Sequence, residues 1–286
     1  MPSMNLWNLL LIALVQGLTE LFPVSSLGHA VVLPALLHLG INQHARDFLP
    51  FLVVLHVGTL LALLLYFWRV WLGIAWGVLR GPRVADAENY RRLAWHLVLG
   101  TLPAVVIGFV LEKPLRTLFG EPWVAALFLI GNGVMLLLGE HLRRRAIASA
   151  QDERLDAMTW RDALIIGVWQ CLAFIPGLSR SGATMVGGLR QRLNHAQAAR
   201  FSFLLGAPVI TGAAVLEVPK LLHAHAALHA APLGAMVLAG GVAGVAAWLS
   251  TWFLMRYFRR HEQAALGPFA WYCIGFGALA LLLLGA

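Results

Sequence analysis

Gln16-Gly-Leu-Thr-Glu20-Leu-Phe-Pro23-Val-Ser25-Ser26-Leu-Gly28-His29 interrupts an apolar stretch near the start of the chain. Gln170-Cys-Leu-Ala-Phe-Ile-Pro176-Gly177-Leu-Ser179-Arg180-Ser181-Gly182-Ala-Thr184 interrupts another one later. Both run from a glutamine through apolar residues to a proline and a hydroxyl cluster, then return to apolar sequence. Ionisable groups at bilayer depth cost a few kcal/mol or more each, so in an apolar chain they mark function by default. One segment brings a carboxylate, hydroxyls and an imidazole; the other brings a guanidinium and more hydroxyls. Together they compose an anion-handling site.

The surrounding composition sets the class. Of 286 residues, 60% are hydrophobic and 12% charged, with a mean hydropathy of +0.77; soluble domains carry about 25% charged residues. The chain reads as an all-α polytopic membrane protein, a single integral membrane domain over residues 1–286. Nothing before Glu20 is charged, so a secretory n-region is missing and the apolar N-terminus is expected to be retained. Cys171 and Cys273 lie in apolar stretches and read as small buried hydrophobes, not as a disulfide or metal site. The net charge of +8 reflects topology and not nucleic-acid binding, because the arginines fall in loops.

Stretches of spanning length run over Phe48–Trp68, Leu93–Leu111, Trp123–Gly139, Phe201–Leu221, Leu233–Met255 and Gly267–Leu284, each long enough to cross about 30 Å of hydrocarbon as helix. Met4–His38 and Asp162–Leu189 are instead broken near the middle at Pro23 and Pro176. Their halves are too short to span, and irregular backbone at that depth survives only when protein or water covers it. Both read as re-entrant helix–break–helix hairpins. If each hairpin enters and leaves on one side, loops 69–92, 140–161, 189–200 and 256–266 share a side holding 16 of the 21 Lys and Arg residues. The other side has Arg46, Lys113, Arg116 and Lys220 near its ends. The rich side is expected to be cytoplasmic, which puts both termini outside and makes the two hairpins enter from opposite faces. A Gly58-Thr59 or Thr211-Gly212 pair follows each hairpin at similar spacing. The pattern is an inverted repeat, residues 4–111 and 162–255, with a site near the midplane where the broken helices meet.

Gln16 and Glu20, four apart, share a helical face. Pro23 ends that helix, and Ser25 and Ser26 suit the N-cap of the next, which carries Leu27, Gly28 and His29 in its first turn. In the second segment Pro176-Gly177 breaks the chain, Ser179 or Ser181 caps, and Arg180 and Thr184 lie four apart. Two helix N-termini aimed at one cavity bind phosphate through unpaired N–H groups and the dipole; Arg180 adds a planar fork matched to phosphate oxygens. Glu20 near Ser26 or His29 is the pairing that activates a nucleophile. Duller readings exist for each residue: a backbone-bonded Ser or Thr, a structural Glu20–Arg180 pair, solvated His223, His225 and His229 in a loop, an interfacial Glu217. Convergence of Glu, two Ser and His within ten residues, mirrored by Ser-Arg-Ser-x-x-Thr, outweighs them.

These two motifs resemble the signatures of the undecaprenyl-pyrophosphate phosphatase family, the bacitracin-resistance type. Gln16 to His29 is similar to its Glu/Gln-x-x-x-Glu motif, and Pro176 to Thr184 to its Pro-Gly-x-Ser-Arg-Ser-x-x-Thr motif. The resemblance implies a bacterial inner-membrane enzyme that removes one phosphate from a C55 polyprenyl pyrophosphate, regenerating the carrier lipid for cell-wall synthesis. It implies support by a divalent cation, Mg²⁺ or Ca²⁺; the charge topology adds the expectation of an outward-facing site, toward the periplasm. Two departures stand out. Many relatives have Glu where this chain has Gln16, and Cys273 follows Pro268-Phe-Ala-Trp-Tyr272 where some relatives have arginine.

On this reading Ser26 is the nucleophile, with His29 either its acid–base partner or the nucleophile itself; Glu20 is the base and cation ligand, and Arg180 neutralises charge. Gln16, Ser25, Leu27, Gly28, Ser179, Ser181, Gly182 and Thr184 line the substrate site. The expected partners are the polyprenyl pyrophosphate and membrane lipids, without nucleic acid; a homodimer is compatible but unspecified. The rival reading is a transporter or flippase built on the same inverted-repeat anion site, which needs no nucleophile. A channel would need a continuous polar pore.

Overall fold

A computed structural model describes residues 6–39, 48–80, 86–118, 120–148, 155, 157–228 and 233–285. The described residues form helices and no strands: α1 (Leu6–Thr19), α2 (Ser26–Leu36), α3 (Phe48–Tyr66), α4 (Trp68–Arg80), α5 (Ala87–Leu118), α6 (Pro122–Ala148), α7 (Trp160–Gln170), α8 (Arg180–Arg190), α9 (His195–Leu228), α10 (Leu233–Arg260) and α11 (Gly267–Leu284). A 3-10 turn, Cys171–Phe174, follows α7. Helices α5, α6, α9, α10 and α11 are long and apolar enough to cross a membrane. Helix α3 makes a sixth span if counted with α4, against which it bends by 76°. Leu65, Phe109, Val110 and Leu282 are exposed, as expected where lipid and not water is the solvent.

Small residues let the helices approach closely, which is how packing is won without a hydrophobic driving force in lipid. Helix α10 packs against both α1 and α3, α5 against α7, α6 against α11, and α3 against α9. Where α3 meets α10, a Cβ on Gly58 would lie 2.0 Å from the Gly240 carbonyl oxygen; where α7 meets α5, one on Gly167 would lie 2.3 Å from that of Gly100.

Both motif regions are pairs of short helices packed on one another, α1 with α2 and α7 with α8. Each second helix is N-capped by the serine two residues after the proline in the first case and three in the second. Ser25 Oγ accepts from Gly28 N at 3.2 Å, and Ser179 Oγ from Gly182 N at 3.1 Å. The open choice of cap is thereby settled for Ser25 and Ser179, while Ser26 and Arg180 become the first helical residues. Ser25 sits at φ 69°, a left-handed conformation that a non-glycine residue adopts at a cost. Gly177 has φ 98°, and a Cβ there would lie 2.3 Å from Ala125 O.

The structure differs from expectation at one end of the bundle. Loop 69–92 contains α4, too short and too charged to read as a span; Trp68, Leu72 and Trp76 on it are exposed. The Arg143-Arg144-Arg145 run, expected in a loop, continues α6. Arg143 is buried and donates Nε–H to Glu262 Oε1 at 2.6 Å. His195 bridges Glu262 and Glu140, at 3.3 and 3.0 Å, and Leu266 N donates to Glu140. This network ties α6, α9 and the α10–α11 connection together. Burial alone would raise the Glu262 carboxyl, but His195 and then Arg143 hold it below the usual carboxylate range. Glu217, expected at an interface, is buried in α9. His229 and the side chains of Arg46, Lys113, Arg116, Lys220, His223 and His225 lie outside the described residues.

Candidate active site

The two breaks meet, and a residue of a third helix clips them. Asn132 of α6 donates Nδ2–H to Pro23 O at 2.8 Å, and its Oδ1 accepts from Ser179 N at 2.9 Å. Ser181 Oγ donates to Phe22 O at 3.0 Å. Gly28 abuts Gly177: a Cβ on Gly28 would lie 3.1 Å from the Gly177 Cα. Thus α2 and α8 start side by side, with their first-turn N–H groups lacking helical partners.

A cavity of about 250 Å³ opens beside these N-termini, with Glu20, Ser25, Ser26, His56, Gln170, Ser179 and Arg180 as its polar lining. Leu27, Leu52, Phe174 and Val209 are among its apolar walls. Glu20 is its hub. Oε2 accepts from Ser26 Oγ at 2.6 Å and from Gln16 Nε2 at 2.8 Å, and lies 3.2 Å from His56 Nε2. Oε1 accepts from Arg180 NH2 at 3.3 Å. The Glu20 carboxylate is 5% exposed and the Arg180 side chain 12%, so the pair is strongly shielded from water and interacts at low dielectric.

Helix α9 holds Arg180 in place. Arg180 NH1 donates to Ser202 O at 3.3 Å. One turn on, the guanidinium lies against Gly206, where a Cβ would come within 2.8 Å of both terminal nitrogens. Thr184 Oγ1 pairs with Ser202 Oγ at 2.6 Å and with the Arg180 and Ser181 carbonyls, so Thr184 fastens α8 to α9 and does not line the cavity. Ser181 and Gly182 likewise face the junction with the first break, through Phe22 O and Pro23.

His29 is placed elsewhere. It is 2% exposed and does not line the cavity. Nδ1 bonds Ser25 O at 2.7 Å, Nε2 bonds Tyr272 OH at 2.8 Å, and the ring stacks on Tyr272 and Phe276. The histidine that reaches Glu20 is His56 of α3. Its Nδ1 meets only an acceptor, Leu52 O at 2.7 Å, and so carries a proton; Nε2 faces Glu20 and Gln16, and a second proton there makes the ring a donor to Glu20 Oε2. His56 and Asn132 escaped the reading of the motifs because each stands alone in an apolar stretch. The signal that could have found them is the rarity of such side chains within spans.

Among the described residues no group of three His, Cys, Asp or Glu could hold a metal ion. The donor set beside Glu20 is nonetheless hard. Gln16 Oε1 and both amide atoms of Gln170 are buried without hydrogen-bond partners. One carboxylate and neutral oxygens suit a Mg²⁺- or Ca²⁺-type ion that takes its remaining ligands from water and phosphate. Cys273 is buried and accepts from Asn132 Nδ2 at 3.3 Å, so the position where some relatives carry arginine adjoins the clip between the breaks.

The sequence pattern of the bacitracin resistance protein BacA family matches residues 9–279. A protein of Acidiphilium cryptum (strain JF-5) named undecaprenyl-diphosphatase is 57% identical over 274 residues, covering 96% of each chain. One of the same name from Granulibacter bethesdensis is 54% identical, covering 98% of each. A protein of Chromobacterium violaceum named undecaprenyl-diphosphatase 2 is 46% identical, covering 98% of this chain and 99% of its own.

Proposed function

The chain belongs to the bacitracin resistance protein BacA family, and from that premise we infer that it hydrolyses undecaprenyl diphosphate to undecaprenyl phosphate and inorganic phosphate. The observation that carries the reading into this molecule is Ser26 Oγ donating to Glu20 Oε2 at 2.6 Å, with Arg180 3.3 Å from the other oxygen. A nucleophile, its base and a phosphate-matched cation thus share one cavity. A transporter needs the cation and the helix N-termini but has no use for the serine–carboxylate bond.

The diphosphate enters the cavity against the N–H groups that open α2 and α8, and Arg180, which has donors to spare, turns to its terminal phosphate. Ser26 Oγ attacks the terminal phosphorus while its proton passes to Glu20. The bond to the bridging oxygen breaks, and undecaprenyl phosphate leaves with that oxygen. Water then cleaves the phosphoserine and releases inorganic phosphate. Gln16 and His56 hold Glu20 Oε2 on Ser26, and His56 takes the acid–base place that the motif alone suggested for His29. Charge on the transferring phosphoryl group is met by Arg180 and backbone N–H groups already in place, which is the main source of catalysis in such reactions. His29 positions Ser25 by holding its carbonyl. A Mg²⁺ or Ca²⁺ ion would be held by Glu20, with Gln170 a further oxygen donor of the same cavity, and would supply further charge neutralisation on the phosphates.

A cavity of about 250 Å³ cannot enclose a C55 tail, so the isoprenoid leaves sideways into lipid. The α1–α2 and α7–α8 pairs are read as re-entrant hairpins in an inverted repeat. That reading is supported by their matched serine caps and by the matched packing of α1 on α10 and α7 on α5. We read the protein as an inner-membrane protein with its site toward the periplasm; the arginine bias supports that orientation.

Purified protein incubated with undecaprenyl diphosphate, with and without chelator, tests the function. Release of inorganic phosphate in step with undecaprenyl phosphate is expected, reduced by chelator. Lipid binding or transfer without phosphate release would replace the hydrolase by the transporter.

A further inference from the structure

The 76° bend between α3 and α4 opens space at the arginine-rich end of the bundle, remote in sequence from the motifs. Two cavities lie there. One of about 270 Å³ is lined by Tyr66, Trp252, Arg256, Arg259 and Arg260. The other, of about 460 Å³, shares Tyr66 and Arg259 with it and adds Arg69 and Arg200. Neither is lined by a carboxylate, and the Arg69 guanidinium stacks over Trp68 at 5.2 Å. Five arginines from α4, α9 and α10 thus converge on adjoining hollows.

Arginines at the end of α10 also complement the helix C-terminus and mark topology. Neither role requires them to line a concavity with an aromatic floor. Trp252, Arg256 and Arg259 or Arg260 follow one another at helical spacing, so a single stripe of α10 passes from aromatic to cationic. Tyr66 makes an edge-to-face contact with Trp248, one further turn down the same stripe, with ring centroids 6.4 Å apart. Trp248, Leu249, Trp252 and Phe253 are all exposed. The stripe therefore offers charge for a phosphate at its end and an apolar track for acyl chains below.

We propose that this end of the protein carries a binding site for the headgroup of an anionic phospholipid, with Arg256 and Arg259 as its principal phosphate contacts and Tyr66 and Trp252 at the glycerol level. Basic pockets between membrane helices recognise anionic headgroups in this manner. The exposed aromatic track below favours a lipid over a free anion.

The test compares the full-length protein in nanodiscs of phosphatidylcholine with and without phosphatidylglycerol, at constant salt. Wild type should melt higher with phosphatidylglycerol and retain that lipid through purification in neutral detergent. The double variant Arg256→Gln/Arg259→Gln should bind it more weakly, by about five-fold per arginine removed. Its phosphate release in neutral detergent should match wild type, which establishes that it folds. Arg256→Lys/Arg259→Lys should keep most of the binding. Equal retention by wild type and the Gln variant overturns the proposal. So does a wild type that gains no more from phosphatidylglycerol than from phosphatidylcholine, a comparison that stands even if the variant does not fold. Inorganic phosphate that stabilises wild type as well as the lipid does would make this a free-anion site and overturn the assignment to lipid.

Discussion

At the scale of single residues, the site turns on what touches Glu20. Glu20→Gln keeps shape but removes the base, and should lower kcat by about 10²–10⁴-fold; activity within a few-fold of wild type in a phosphate-release assay would sink the base assignment. Ser26→Ala should abolish turnover while sparing lipid binding. Rapid acid quench of wild type should trap an acid-stable phosphoserine at position 26; an acid-labile adduct on a histidine would transfer the role, and no adduct at all would favour attack by water. Gly206→Ala pushes a methyl group into the Arg180 guanidinium, within 2.8 Å of its nitrogens. It should depress kcat with little change in melting temperature, and so should Arg180→Lys, which loses the bidentate fork. Gln16, Glu20, Ser26 and Arg180 stood out in the sequence because they sit in two short segments that interrupt apolar stretches, and the structure brings all four together. The contribution of His56 did not stand out, since it enters from α3 as the one imidazole in an apolar run. His29 sits outside the cavity for a related reason: helical spacing put it on the face of Ser26, but Tyr272, 243 residues away, takes its second nitrogen.

At the scale of elements, Asn132 does for the two breaks what a cap does for one helix. Asn132→Ala would orphan Pro23 O and Ser179 N, each a buried group costing about 1–3 kcal/mol when unpaired. The expected result is a lower melting temperature together with a fall in kcat/KM, because the breaks that position Ser26 and Arg180 would no longer share a fixed reference. A variant that loses stability but keeps full kcat/KM would limit Asn132 to structure. The broken pairs α1–α2 and α7–α8 were readable from proline, glycine and serine in apolar sequence, and the longer helices from hydropathy alone. Helix α4 was not readable, because it is only 13 residues long, carries Arg69 and Arg80 near its two ends, and falls within the stretch 69–92 whose arginines mark a basic loop. The extension of α6 through three arginines was hidden likewise: Arg143 is buried and pairs with Glu262, which the α10–α11 connection brings from 119 residues away. Such pairings depend on tertiary placement that no local pattern contains.

At the scale of the whole molecule, orientation follows from charge. Sixteen of 21 basic residues fall within 69–92, 140–161, 189–200 and 256–266, and the packed structure brings parts of all four regions to one end. Arg69, Arg200 and Arg259 line a common cavity, and Arg143, His195 and Glu262 form one network. Lys and Arg near short loops resist translocation, so this end should stay in the cytoplasm. The Ser26 and Arg180 cavity would then take substrate from the far leaflet. Single cysteines test this directly once Cys171 and Cys273 are replaced by alanine. Ala157→Cys and Gln263→Cys should resist an impermeant maleimide in intact cells and react after permeabilisation, whereas Ala230→Cys should react in both. Both cytoplasmic probes flank the ion-pair network, so their agreement also checks that the α6–α7 and α10–α11 connections share a side. The opposite labelling pattern would invert the protein in the membrane and move the phosphatase site to the cytoplasmic leaflet.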